Sequence, residues 1–393
     1  MFGNRFRLFR VFGIEIRADL SWFVVVALFT WSLARQVFPA GQLAPGLTEP
    51  TYWAMGIVGA ALLFASIVLH ELGHALVARR HGLSIRGITL FIFGGVAEMT
   101  DEPPTAKAEF LVAVAGPAVS VVLGVVFLVG GTVGTLAGWP APLVAVAVVV
   151  GWMNLALVLF NMVPAFPLDG GRVLRSMLWQ WRGDLRWATR VTSAIGSALG
   201  LGLIGLGVLM AIGANNLIGG VWMALIGMFV RSAARMSYQQ VLLRRSLEGE
   251  PVARFMESHP VTVPRSISVA ELVADYVYRH HFKMFPVVDG ERLVGCVTTR
   301  SIRELPRDEW DRQTVGALAD RCNPENTVPP ELDAVRALSL MSRTGTSRLL
   351  VAEGDRLLGI LSLKDLLKFF SLKMELEPGD EPHPSAGGRR PLA

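Results

Sequence analysis

Residues 54–78 read AMGIVGAALLFASIVLHELGHALVA. As an α-helix this stretch is about 38 Å long at 1.5 Å per residue, enough to cross a hydrocarbon core of about 30 Å. It nonetheless carries three ionisable side chains, His70, Glu71 and His74. Positions i and i+4 share one helix face, so both imidazoles reach a single metal ion with Glu71 beside it. This is the zinc-hydrolase pattern H-E-x-x-H, in which the glutamate is the general base. The competing reading is an incidental match. It is disfavoured because two His and a Glu without partners are costly in lipid and normally mark function. None of the other five His (His81, His259, His280, His281, His383) forms this spacing.

The rest of the 393-residue chain shares this apolar character. It is 52% hydrophobic and only 18% charged, with a mean hydropathy of +0.46, against about 25% charged in ordinary soluble domains. The charge is unevenly divided: residues 1–250 hold 18 Lys/Arg and 12 Asp/Glu, residues 251–393 hold 19 and 20. The first part reads as a membrane body and the second as a soluble region. Two cysteines, Cys296 and Cys322, are too few for a disulfide framework or a cysteine-based zinc module.

Five further stretches are long and apolar enough to cross a bilayer, at roughly 19–39, 108–131, 142–163, 190–212 and 216–234, giving six spans. The first lacks a following small-residue cleavage site and is not read as a signal peptide. Every second loop is basic: Arg5, Arg7, Arg10 and Arg17 precede span 1; Arg79, Arg80, Arg86 and Lys107 follow span 2; Arg172, Arg175, Arg182 and Arg186 follow span 4; Arg235, Arg244 and Arg245 follow span 6. The intervening loops 40–53, 132–141 and 213–215 have no Lys or Arg. This pattern predicts a cell-membrane protein whose N-terminus and C-terminal region are cytoplasmic. The net charge of +5 thus reports topology and gives no support to nucleic acid as a partner. Arg35, near the outer end of span 1, is the exception and is expected to snorkel.

A catalytic zinc needs a third protein ligand and an open position. Asp169 fits best, in NMVPAFPLDGG at 161–171, where two prolines break the helix at membrane depth. Non-helical backbone there is tolerated only when buried in protein or lining a cavity. The bland alternative is an exit turn in which Asp169 caps the next helix. With HELGH at 70–74, NMVPAFPLDGG at 161–171 and Gly116-Pro117-Ala118-Val119-Ser120 in span 3, the chain resembles the site-2 protease family of intramembrane zinc metalloproteases. The likeness covers about 54–171, with the motifs in the family's order. It implies one Zn²⁺ per chain held by His70, His74 and Asp169, with Glu71 as general base and Asn161 as the side-chain donor to the oxyanion. Asn154 reads as an interhelical hydrogen bond. His70 lies nine residues before Arg79, so the metal is expected roughly 14 Å from the cytoplasmic end of its span.

Backbone groups of a membrane helix are mutually paired, so a scissile segment must be extended. Residues 87–98, GITLFIFGGVAE, read as a strand or hairpin at the membrane surface. One expectation is that substrate adds as a strand along this edge at Gly94, Gly95 and Val96. The other is a hairpin that only shields the site.

In the soluble region, VVDGERLVGCVT at 287–298 recurs as VAEGDRLLGILS at 351–362, a spacing of 64. Each copy reads strand, turn, strand, helix, and follows Thr-Val-Pro and an amphipathic helix. This resembles a tandem CBS pair. Such pairs bind adenine nucleotides through G-h-x-(Thr/Ser)-x-x-Asp. The second copy has Gly359, Ser362 and Asp365; the first has Gly295 and Thr298 but Ser301 in place of Asp. The resemblance implies ATP, ADP or AMP as a ligand of the second copy, with Thr298 the corresponding residue in the first; a purely structural or homodimerising module is the alternative.

The expected architecture is an α-helical polytopic membrane protein of six transmembrane helices with a membrane-surface β-hairpin or edge strand, followed by an α/β tandem CBS domain. Its segments are an N-terminal stretch 1–18, a protease domain 19–236, a linker 237–250, CBS copies 251–307 and 314–372, and a disordered tail 373–393. The expected activity is zinc-dependent cleavage of transmembrane signalling proteins such as anti-sigma factors. A CBS-regulated cation transporter and an inactive scaffold are the competing classes. Spans 1, 5 and 6 lack interior acidic or imidazole residues, against a transport path, and a scaffold is expected to lack Glu71 or a ligand.

Overall fold

The computed structural model describes residues 5–41, 43–92, 94–99, 102–213 and 216–376. The chain divides into two units, Met1–Val241 and Leu242–Ala393.

The first unit begins with a hairpin, β1 (Arg5–Val11) and β2 (Ile14–Asp19), turned through Phe12 and Gly13, both at positive φ. Asp19 caps the helix that follows, accepting from the Ser21 amide at 3.0 Å. That helix, α1 (Leu20–Ala40), and the next, α2 (Glu49–Arg80), are both long and apolar enough to cross a membrane. β3 (Ile85–Phe91) then pairs in parallel with β2, at Ile16↔Ile88 and Ala18↔Leu90. Parallel neighbours require a crossover, and here two spans supply it. The residues before span 1 and after span 2 therefore lie on the same side of the helices. β4 (Gly94–Met99) pairs antiparallel with β3 and ends the four-stranded sheet, whose order is β1-β2-β3-β4. The buried sheet residues Ile14, Ile16, Ile88 and Leu90 pack on Val68, Leu72 and Ala75 of α2, so the sheet rests on the helix that carries His70 and His74.

The remaining helices are α3 (Ala106–Leu136), α4 (Ala141–Asn161), the short α5 (Asp169–Arg182), α6 (Leu185–Gly213) and α7 (Leu217–Leu247). Six helices among the described residues are long and apolar enough to span, α1–α4, α6 and α7. Their outward faces carry large apolar side chains such as Leu136, Leu159, Leu209 and Ile218, the arrangement expected in lipid.

Three features add to these expectations. Residues 5–19 form a hairpin, and the alternation in IEIRAD, buried at every second residue, sets β2. The segment 237–250, expected as a linker, contains the division between the two units and is helical as far as Leu247. Arg35 pairs with Glu49, the first residue of α2, at 2.5 Å and lies over the Trp53 ring.

The second unit holds one seven-stranded sheet. Its first copy contains β5 (Val263–Pro264), β6 (Met284–Asp289), β7 (Arg292–Thr298) and the helix α8 (Thr299–Glu304). Its second contains β8 (Asp320–Arg321), β9 (Thr327–Val328), α9 (Ala334–Thr344), β10 (Arg348–Glu353), β11 (Arg356–Ser362) and α10 (Leu363–Leu376). The copies exchange lead-in segments: Glu257 bridges Ile360 of β11, while β8 pairs with β7. Met284, Leu293, Cys296, Leu350 and Ala352 form the apolar seam between them. The expected disordered tail begins at 373, yet α10 runs to Leu376; the rest of the tail lies outside the described residues.

Candidate metal centre

His70 and His74 stand one turn apart on α2, ring centroids 4.8 Å apart, and each is 4% exposed. Asp169 arrives from the first residue of α5. Its Oδ2 lies 3.1 Å from His70 Nε2 and 3.2 Å from His74 Nε2, and the two Nε2 atoms are 3.1 Å apart. Three donors therefore form a nearly equilateral triangle. A tetrahedral zinc with ligands at about 2.0–2.1 Å has donor–donor edges of roughly 3.3–3.4 Å, so the triangle fits such an ion. These are the only His, Cys, Asp or Glu that cluster in this way among the described residues.

The far side of each ring is also held. His74 Nδ1 faces the Val112 carbonyl at 2.6 Å, which fixes the proton on Nδ1 and leaves the Nε2 lone pair for a metal. His70 Nδ1 meets Ser120 Oγ at 2.9 Å. Both partners belong to α3, and between them lies Gly116. A Cβ there would stand 2.1 Å from His74 Nε2 and 2.6 Å from His70 Nε2, so the donor cradle exists only because residue 116 has no side chain. Asp169 is delivered by the loop 162–168, which folds back over the start of α5. At Gly170 a Cβ would meet the Met162 carbonyl oxygen at 2.3 Å.

Glu71, half-buried, points toward the sheet. The Cβ position of Gly95 on β4 lies 2.6 Å from Glu71 Cγ and 3.2 Å from its Oε1. The edge strand and the candidate base are thus in direct contact. Gly94 is the first residue of that edge, at φ +127°; Val96 is described by its backbone pairing with Thr89 alone. Asn161 is the last residue of α4, partly buried, with no contact to the triad among the described hydrogen bonds. Asn154 is fully buried and donates to Ser66 Oγ at 3.2 Å, tying α4 to α2 one turn before His70. In the second unit, Ser362 and Asp365 form a capping pair, Ser362 Oγ donating to Asp365 Oδ2 at 2.5 Å, and Thr298 makes the equivalent box with Ser301.

Sequence reasoning missed one pair. Glu109 of α3 is fully buried and its Oε1 accepts from Nε of Arg175 on α5 at 2.6 Å. Each residue is visible singly in the sequence, an acidic one at the start of an apolar run and a basic one six positions after Asp169, but nothing local pairs them.

The family model for Peptidase family M50 matches residues 58–137 and 135–203, and the model for the CBS domain matches 252–308 and 317–372. The putative zinc metalloprotease Rip3 of Mycobacterium tuberculosis is 36% identical over 375 residues, spanning 94% of this chain and 93% of that protein. The chain belongs to peptidase family M50. The putative zinc metalloprotease sll0528 of Synechocystis is 34% identical over 370 residues, 93% of this chain and 95% of the relative. A solved site-2 protease from Methanocaldococcus jannaschii is 30% identical, covers 60% of this chain and 95% of that one, and superposes with a TM-score of 0.42. The M50 member described here is therefore a multi-pass zinc metalloprotease of the site-2 type with a tandem CBS pair.

Gly116→Ala is expected to bring the zinc content of the purified protein close to zero, because the added methyl occupies the donor cradle. Metal analysis beside an unchanged gel-filtration profile checks this; wild-type zinc content contradicts the cradle.

Proposed function

We propose that this M50 member hydrolyses peptide bonds in or near transmembrane segments of signalling proteins, anti-sigma factors among them, in regulated intramembrane proteolysis. The observation that carries the reading is the convergence of His70, His74 and Asp169 on one point inside the helix bundle, with Glu71 beside it. His70, His74 and Asp169 would hold the metal. When bound, zinc supplies Lewis acidity, bringing a water toward a pKa of about 7 and polarising the scissile carbonyl. The Glu71 carboxylate takes the proton of the attacking water and returns it to the amine nitrogen as the C–N bond breaks. Asn161 donates its side-chain N–H to the developing oxyanion. The N-terminus, the sheet and the CBS pair face the cytoplasm, as the Arg-rich alternate loops support, and water reaches the site from that side.

Substrate adds to the open edge of β4 at Gly94, Gly95 and Val96. Two features support this: β4 ends the sheet among the described residues, and Gly95 touches Glu71. A strand paired there presents an extended backbone, stripped of helical hydrogen bonds, to the base. The CBS pair binds an adenine nucleotide at the second copy and joins two chains. Support for the nucleotide comes from Asp365, whose Oδ2 caps α10 while Oδ1 makes no bond among the described residues.

Glu71→Gln is expected to retain zinc and to lower cleavage of a co-expressed substrate by about 10²–10⁴-fold, the usual contribution of a general base. Equal cleavage by both proteins removes Glu71 from this role. Adjacent N–H groups on β4 alternate between β3 and the open edge. Proline at whichever of Val96 and Ala97 faces outward is expected to abolish cleavage with zinc unchanged, whereas normal cleavage by both variants overturns edge pairing. Titration calorimetry of the full chain in detergent is expected to give binding heat with at least one of ATP, ADP and AMP, and none for Asp365→Ala. No heat with any of the three leaves the CBS pair a structural module.

A further inference from the structure

Asp169 is held differently from the two histidines. His70 and His74 ride on one continuous helix, whereas Asp169 opens α5 after the non-helical loop 162–168. Its distance to the histidines therefore depends on how α5 is docked. One contact that docks α5 on α3 is a buried ion pair. Glu109 on α3 is 0% exposed and Arg175 on α5 is 5% exposed. Glu109 Oε1 accepts from Arg175 Nε at 2.6 Å and also from Nη2. The guanidinium lies 5.0 Å from the ring centroid of Phe166, in the loop that leads to Asp169. Glu109 Oε2 has no partner among the described residues.

A buried ion pair is a poor device for stability, because desolvation offsets its attraction and apolar packing serves as well. What the pair adds is register, since the planar guanidinium fork accepts its partner in few orientations. The position of Glu109 on α3 gives that register a purpose. Glu109, Val112, Gly116 and Ser120 follow one another at helical spacings of three and four and share one face. Val112 holds His74, Ser120 holds His70, and Gly116 leaves room for both Nε2 atoms.

We propose that Glu109 and Arg175 are positioning residues that set Asp169 against His70 and His74, so that one face of α3 indexes all three donors. The proposal rests on the assignment of these three residues as the zinc ligands. It acts through α5, and neither Glu109 nor Arg175 touches the donors.

The test uses the full chain in detergent. Zinc affinity is measured by chelator competition, the ligand field by the absorption of the Co²⁺ form, and unfolding by thermal melting. Asp169→Ala serves as the reference. Glu109→Gln and Arg175→Met are expected to weaken zinc binding by roughly 10-fold, the lower end of the effect of losing a group bonded directly to a ligand, and to change the Co²⁺ band. Arg175→Lys, which keeps the charge and loses the fork, is expected to lie between wild type and Arg175→Met. The apolar pair Glu109→Leu with Arg175→Met removes both charges, so it is expected to recover the melting temperature while zinc binding stays weak. If the single variants melt earlier but keep wild-type zinc affinity and Co²⁺ spectrum, or if the double variant binds zinc as wild type does, the pair is structural only and the proposal falls. If Asp169→Ala itself keeps full affinity, the ligand assignment fails, and the proposal fails with it.

Discussion

Two imidazoles and a carboxylate, with donor atoms 3.1–3.2 Å apart inside an apolar helix bundle, are the constraint that the surrounding structure answers. Such groups are expensive at membrane depth, and every atom not aimed at the common point needs a partner. Val112 and Ser120 take the outer nitrogens of the rings. Helices must also come close enough to deliver three donors to one point, which requires missing side chains. Gly73 of α2 faces the Ala115 carbonyl, where a Cβ would be 3.0 Å from its oxygen, and Gly116 faces the rings themselves. The small residues of HELGH and of Gly116–Ser120 are thus part of the same requirement as the histidines.

The sheet answers a second constraint. On the proposed function, a membrane segment to be cut must be received as an extended chain where backbone groups have no water to turn to. The parallel pairing of β2 with β3 closes over two membrane spans and fixes the sheet on α2, through Ile16, Ile88, Leu72 and Ala75. Of the two edge strands, β1 and β4, it is β4 that contacts Glu71. A cation transporter would have no use for an open strand edge beside its ion site, and the sheet adds weight against that reading independently of the motif.

Features that repeat at a fixed period were legible in the sequence. The i, i+4 histidines, the apolar runs and the 64-residue repeat each declare themselves locally. The helix ends did not. Residues 237–247 carry Arg244 and Arg245 and look like an exit from the membrane, but helix propagation depends on Val241, Leu242 and Leu247 finding buried partners, which only tertiary structure supplies. The first hairpin was hidden for a similar reason. Its arginines read as a basic flank of span 1, and only the short alternation in IEIRAD marks a strand. The sequence places Gly95 on the expected substrate edge; the structure adds that its near neighbour is the Glu71 side chain. Glu109 and Arg175, 66 residues apart, had no local signal that paired them.

The two CBS copies offer a comparison in which structure and chemistry separate. Both begin the helix after their last strand with the same reciprocal cap, Thr298 with Ser301 in one and Ser362 with Asp365 in the other. Serine performs this cap as completely as aspartate does, so capping alone does not call for a carboxylate in the second copy. The carboxylate has a second oxygen that the cap does not use, and the hydroxyl of Ser301 has no counterpart to it. An acceptor of that kind, fixed by the first turn of a helix, suits a vicinal diol and is present once per chain. On the proposed nucleotide reading, the pseudo-symmetric framework therefore carries one copy with the carboxylate and one without it.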